Sequence, residues 1–165
     1  MKLLIIRHAI AIPSGTPGVP DDERPLTQKG KRRFRRAARG LARIAPRPDV
    51  LVSSPLPRAL ETAEIAAKAW GRVRPRSEPA LAGASVPRIV DVLAGQPAEA
   101  TVAVVGHEPT LSALLARLLG TPHDERLTFR KGGAALVDLA GSPGDGGGRL
   151  IWYLRPRILR ILGRA

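Results

Sequence analysis

TVAVVGHEPTLSALLARLLG, residues 101–120, is the stretch on which the fold turns. Its opening run, TVAVVGH, is apolar and valine-rich without polar alternation, the pattern of a strand buried on both faces. PTLSALLARLLG then reads as a helix that follows the strand almost at once.

Working outward, the same alternation recurs. KLLIIR (residues 2–7) is a strand, and residues 9–26 form a Pro- and Gly-rich loop. Thr27 is placed to cap a helix running to about Ile44. PDVLVSS (48–54) supplies another strand, and PLPRALETAEIAAKAW (55–70) a helix with Pro57 in its first turn, where proline is tolerated. VRPRS (73–77) is a weakly signalled strand, and VPRIVDVLAG (86–95) a short helix that Gly95 ends. Near the end, GAALVDLA and RLIWYLR flank SPGDGGG, a hairpin with a long loop. Strands alternating with helices predict a three-layer α/β sandwich with helices on both faces. Its central sheet is mainly parallel with an antiparallel edge strand, in a single domain over residues 1–165.

Composition narrows the chemistry. Without cysteine there is neither a disulfide frame nor a thiolate zinc site, and three histidines argue against a dedicated metal cluster. No metal and no cofactor are expected. The N-terminal apolar run is too short for a signal peptide, and no stretch approaches a membrane span, so a soluble cytoplasmic protein is the expectation. The 27 Lys and Arg against 14 Asp and Glu give a net charge of +13, which suits an acidic partner or a phosphorylated substrate. GC-rich coding produces the same bias. Much of the excess lies in KRRFRRAARGLARIAPR (31–47), where Phe34, Ala37, Ala38, Leu41 and Ile44 recur at helical spacing. That run reads as a solvated helix face rather than a nucleic-acid groove, since aromatics are only 3% of residues and stacking platforms are scarce.

In such sheets ligands bind at the carboxyl ends of the strands. One strand ends in Arg7-His8, another in Ser53-Ser54 with Arg58 a turn later, and TVAVVGH ends in His107. Two histidines and two arginines on one rim would repel one another unless an anion sat between them. A dianionic phosphoryl group fits, because guanidinium forks bind its oxygens in pairs.

RHA after the first strand, SSPLPRALETAEI after the second and VVGHEPTL after a later one resemble the histidine phosphatase superfamily, with its phosphoglycerate mutase-like fold. RPLTQKG, FRKGGAALVDL and RLIWYL are similar to its short SixA-type branch of phosphohistidine phosphatases. The resemblance implies that His8 is the nucleophile, forming a phosphohistidine intermediate that water hydrolyses. A neutral imidazole can attack at pH 7 because its unperturbed pKa is about 6.5. Arg7, Arg58 and His107 would then hold the equatorial oxygens, with Ser53 and backbone donors near Glu108 as further phosphate-binding groups. Pro109 fits the first turn of the helix there.

The general acid is harder to place. Mutase-type members carry a glutamate soon after a leucine that follows the third strand, whereas Leu81 is followed here by AGAS. The candidate acids are Glu78 and, in the first long loop, Asp21, Asp22 and Glu23. A missing acid favours a leaving group as good as the imidazole of phosphohistidine over the alkoxide of a sugar phosphate. The small size points the same way, toward an open rim that admits a phosphorylated protein, such as a phosphorelay protein. His123 reads as a surface loop residue, and Ser14 and Thr62 as local hydrogen-bonding hydroxyls that could line the pocket. Two rivals remain: a phosphatase of a small phosphorylated metabolite, and a non-catalytic anion- or nucleic-acid-binding module. The nucleophile argues against the module, since binding alone has no use for one.

Overall fold

Strand β1 (Lys2–Arg7) sends Leu3 and Ile5 to one side and Leu4 and Ile6 to the other, as alternating strand side chains must, and all four are fully buried. Both sides of the sheet are therefore covered. The computed structural model describes residues 1–71, 73–83, 85–123, 127–140, 143–144 and 146–164.

The other strands are β2 (Val50–Ser53), β3 (Pro75–Ser77), β4 (Thr101–Gly106), β5 (Ala134–Leu139) and β6 (Gly148–Leu154). They form one six-stranded sheet in the order β3-β2-β4-β1-β5-β6. β1 to β4 are mutually parallel where they pair; β5 runs antiparallel to β1, and β6 antiparallel to β5 at the edge. The expected hairpin is this last pair, although part of its loop lies outside the described residues.

Among the described residues five α-helices complete the layers: α1 (Gln28–Ile44), α2 (Pro57–Trp70), α3 (Val86–Ala94), α4 (Thr110–Leu119) and α5 (Pro156–Leu162). Ile89 and Leu93 of α3 and Leu111, Leu114 and Leu118 of α4 pack with Leu3 and Ile5. Phe34 and Leu41 of α1, Ala59 and Ala63 of α2 and Leu159 of α5 pack with Leu4 and Ile6. Thr27 caps α1, its hydroxyl accepting from the Gly30 amide at 2.9 Å. Pro109 stands one residue before α4 rather than inside its first turn. Helix α5 is absent from the sequence reading. It lies so close to α1 that a Cβ at Gly40 would strike the Leu159 carbonyl and one at Gly163 the Arg36 carbonyl. Among the described residues no helix is long and apolar enough to cross a membrane.

The register matters most for the site. Arg7 pairs with Gly106, so β1 and β4 end flush and His8 and His107 leave the sheet side by side.

Candidate active site

The end of β1 is held from three sides. The His8 amide donates to the Gly106 carbonyl at 3.0 Å, and the Arg7 amide to the Gly133 carbonyl at 3.1 Å. The Gly132 amide reaches back to the carbonyls of Arg7 and His8 at 3.1 and 3.0 Å. The His8 ring is buried, with Nδ1 2.7 Å from the Ala9 carbonyl. A carbonyl only accepts, so Nδ1 carries the hydrogen and Nε2 keeps its lone pair. Burial, with the nearby His107, Arg58 and Arg7, pushes the His8 pKa down to about 3 against the rise given by the Ala9 bond. His8 is thus neutral at pH 7 without a bound anion.

His107 lies beside it, ring centroids 5.0 Å apart and tilted by 49°. Its Nε2 is 2.8 Å from the Ser54 hydroxyl. Burial, then Arg58, Arg7 and Arg24, lower its pKa to about 4.

Arg58 comes from the first turn of α2, where Pro57 starts the helix. Thr62, one turn on, accepts from the Ala9 amide at 3.0 Å and donates to the Arg58 carbonyl at 2.6 Å. One hydroxyl therefore ties the backbone beside His8 to the helix that carries Arg58. Arg58 Nη1 donates to the Asp21 carbonyl at 2.7 Å, and its Nη2 lies 3.6 Å from the Asp21 carboxylate. Arg7 Nη1 donates to the Phe129 carbonyl.

Arg7 Nε, Arg58 Nε and His107 Nδ1 are buried without a hydrogen-bond partner. An unpaired buried donor costs about 1–3 kcal/mol, and these belong to three neighbouring groups of one rim. An anion with several acceptor oxygens would satisfy them together. Arg24 and Lys131 extend the same positive field. Arg24 acts on Arg58 and His107; Lys131 is itself lowered by burial and by Arg7, Arg24 and Arg58. Sequence reasoning missed both, although they lie in the stretches RPLTQKG and FRKGG that it singled out.

Several candidates occupy other positions than expected. Ser53 spends its proton on the Ser54 carbonyl at 3.0 Å; its neighbour Ser54 is the hydroxyl at His107, because consecutive residues at a strand end point opposite ways. The Glu108 carboxylate accepts from the Phe129 amide at 2.8 Å and from Ser112 at 2.6 Å. It thereby holds Phe129, whose carbonyl holds Arg7, so its side chain braces the rim. Since the Ser112 proton goes to that carboxylate, His123 Nε2 donates to Ser112 at 3.0 Å. His123 is exposed, as expected of a surface residue, yet tied to this brace.

Among the candidate acids, Glu78 caps the short turn Pro79–Ala82 by accepting from the Ala80 amide at 3.0 Å. Asp21, Asp22 and Glu23 form one exposed helical turn, and Asp21 and Asp22 both act on Arg58. Asp21 accepts from Ser14 at 2.6 Å and from Arg24 at 2.9 Å, and those two bonds hold its pKa below the usual carboxylate value. It keeps no proton to donate at neutral pH. Among the described residues no group of three or more His, Asp or Glu is arranged to hold a metal ion.

The sequence profile of the histidine phosphatase superfamily (branch 1) matches residues 3–88. No curated protein sequence shows a significant match. The protein histidine phosphatase SixA, solved with tungstate, is 26% identical, with a TM-score of 0.81 over 96% of this chain and 99% of its own. A chain from Nakamurella multipartitia, assigned as a phosphohistidine phosphatase SixA, is 30% identical, with a TM-score of 0.79 over 94% and 95%. A mycobacterial glucosyl-3-phosphoglycerate phosphatase shares the fold at 18% identity, with a TM-score of 0.71 over 93% and 98%.

Proposed function

The chain belongs to the histidine phosphatase superfamily, and from that premise we propose that it hydrolyses phosphohistidine on a protein substrate through a phosphorylated His8. The observation that carries the reading is the fixed tautomer of His8. With Nδ1–H given to the Ala9 carbonyl, the Nε2 lone pair is the free end of a buried, neutral imidazole among Arg7, Arg58 and His107.

The steps follow from that geometry. A phosphoryl dianion settles against the arginine forks and His107, which offset its charge and fix it for in-line attack. His8 Nε2 bonds to phosphorus as the bond to the substrate imidazole breaks. The departing imidazole nitrogen takes a proton from solvent. Water then attacks the phosphohistidine, releasing inorganic phosphate and returning His8 to its starting form. The same basic groups stabilise both transfers, so the chemistry asks mainly for positioning and electrostatics.

Two observations support a phosphoramidate over an alkyl phosphate. The carboxylates nearest Arg58 are exposed, and Asp21 is held ionised. Similarity at 26–30% identity runs to SixA chains. A phosphorelay protein is the fitting kind of substrate, and a cytoplasmic setting belongs to the same reading.

Reaction with ³²P-phosphoramidate, quenched in base, is expected to leave acid-labile, base-stable label on the protein. His8→Ala is expected to lose label and turnover while keeping its fold by circular dichroism. Turnover of His8→Ala near the wild-type rate would end the covalent mechanism. Sugar phosphates turned over as fast as a phosphohistidine peptide would replace the protein substrate with a metabolite.

A further inference from the structure

Resting on the phosphoprotein reading above, we propose that the cleft between α1 and α5 docks an acidic segment of the phosphorylated protein substrate.

Lys29, Arg32, Arg33 and Arg36 recur at intervals of three and four residues and so share one face of α1. By itself that stripe would be a solvated helix face. Helix α5 changes this by placing Arg160 across from it, and these five cations line a cleft with no carboxylate among its described lining residues. Like charges three and four residues apart repel, so the stripe is a cost that an anionic occupant would reverse. Arg160 feels the cost directly. Burial first, then Arg33, Arg157 and Arg164, weaken its hold on its proton.

The cleft also lies next to a hollow that reaches residues beside the phosphate rim. That small hollow shares Arg33 and Arg160 with the cleft, and Ala9, Lys131 and Gly132 complete its wall toward the rim. Ala9 follows the nucleophile, and Lys131 lies within the field of Arg7, Arg24 and Arg58. Positive charge therefore extends from the rim through Lys131 to Arg33 and Arg160, and an acidic chain passing over that surface stays in favourable potential.

Shape and composition choose among polyanions. A lipid surface presents its charges in a plane and does not enter a cleft between two helices. Single-stranded nucleic acid binds by stacking as well as charge, and Phe34, the aromatic residue of the hollow, is buried in the core. An extended acidic peptide meets both conditions. Lys29 to Arg36 spans about 10 Å of helix, the reach of about three extended residues. Such docking would select protein substrates at a rim otherwise open to any phosphoramidate.

The test uses two synthetic phosphohistidine peptides that differ only in a short flanking run of glutamates or of serines, with phosphoramidate as the small substrate. At low salt the wild type is expected to favour the glutamate peptide by about tenfold in kcat/KM, and the preference should fade as salt rises. Arg32→Glu with Arg36→Glu should erase it and leave phosphoramidate turnover unchanged. The neutral pair, Arg32→Gln with Arg36→Gln, should erase most of it and covers the case in which charge reversal disturbs folding. Equal use of both peptides by a wild type that hydrolyses phosphoramidate overturns the docking groove and spares the catalytic reading. Failure to turn over any phosphorus–nitrogen substrate takes both down. Displacement of the glutamate peptide by phosphatidylglycerol vesicles or an RNA oligonucleotide at lower concentration than by free polyglutamate overturns the protein occupant.

Discussion

The carboxyl end of β1 and the acidic turn at Asp21–Glu23 meet at Arg58, yet they are held in opposite ways. His8 is buried, bonded through its backbone to β4 and to the glycines before β5, and fixed in one tautomer. Asp21 is exposed and bonded to neighbours in its own loop, Ser14 and Arg24, reaching the rim only through Arg58. Groups that must keep a geometry are built into sheet ends, where many bonds fix them at once. Groups that meet the solvent side of the substrate sit on a loop that can be rebuilt without disturbing the sheet. The comparison predicts large effects from changes on the first side and small ones on the second.

Arg58 belongs to the first side, and after the loss of the nucleophile itself its loss is expected to be the largest effect. Its helix is tied through Thr62 to the backbone beside His8. Arg58→Ala should lose about 3–4 kcal/mol of transition-state stabilisation, the scale of removing one preorganised donor. That loss should appear mainly in kcat/KM for phosphoramidate. Tungstate and vanadate should inhibit the variant far more weakly than the wild type. A drop of less than about tenfold would mean that Arg58 serves the Asp21 loop and not the phosphate.

The two rim histidines supply the next effect. His8 and His107 are depressed to about 3 and about 4, while the unfolded chain titrates them near 6.5. A depressed group contributes stability that is present above the unfolded pKa and lost as pH falls toward the folded one. Between pH 7 and pH 5.5 the unfolded state takes up these protons and the folded state does not, a loss on the order of 2 kcal/mol for the pair. Thermal melts across this range should show a falling midpoint, and His107→Gln should flatten the fall. Tungstate should flatten it too, since an anion in the rim favours the charged rings. A midpoint constant from pH 7 to pH 5.5 would contradict the lowered pKa of both rings.

The same contrast explains what the sequence could reveal. β1 and β4 are legible because strands covered on both faces are uninterrupted apolar runs, and the basic residues after them are conspicuous for ending those runs. Thr27 is legible because capping is local. Helix α5 is not, because seven residues with exposed Ile158 and Ile161 form no strong pattern, and its close seat depends on Gly40, far away in the chain. The choice of Ser53 over Ser54 is made without the register, which turns the Ser54 hydroxyl to His107. Glu108 enters the phosphate site for the backbone donors near it, and only the fold gives its carboxylate a separate task by bringing the Phe129 amide to it. Arg24 and Lys131 join the rim through tertiary contacts that no spacing encodes.

Asp21 belongs to the second side, and its removal should have the smallest effect. Its carboxylate does two opposed things at the rim. By holding Arg24 and Ser14 it keeps the turn folded over the site, and at 3.6 Å from Arg58 Nη2 it competes with an incoming anion. Because hydrogen bonds from Ser14 and Arg24 hold it ionised, it has no proton to give a leaving group. Asp21→Asn keeps the shape and removes the charge. Phosphoramidate turnover should then change by no more than about threefold, within the small worth of an exposed ion pair. Tungstate should bind as tightly as before or slightly better. The decisive measurement is a leaving-group series from nitrophenyl to alkyl phosphates on wild type and variant. Parallel slopes are expected, displaced by the same small factor throughout. A loss that grows along the series toward the 10²- to 10⁴-fold typical of general acid catalysis would make Asp21 the missing acid. The exposed turn would then carry chemistry that its geometry without substrate does not foretell.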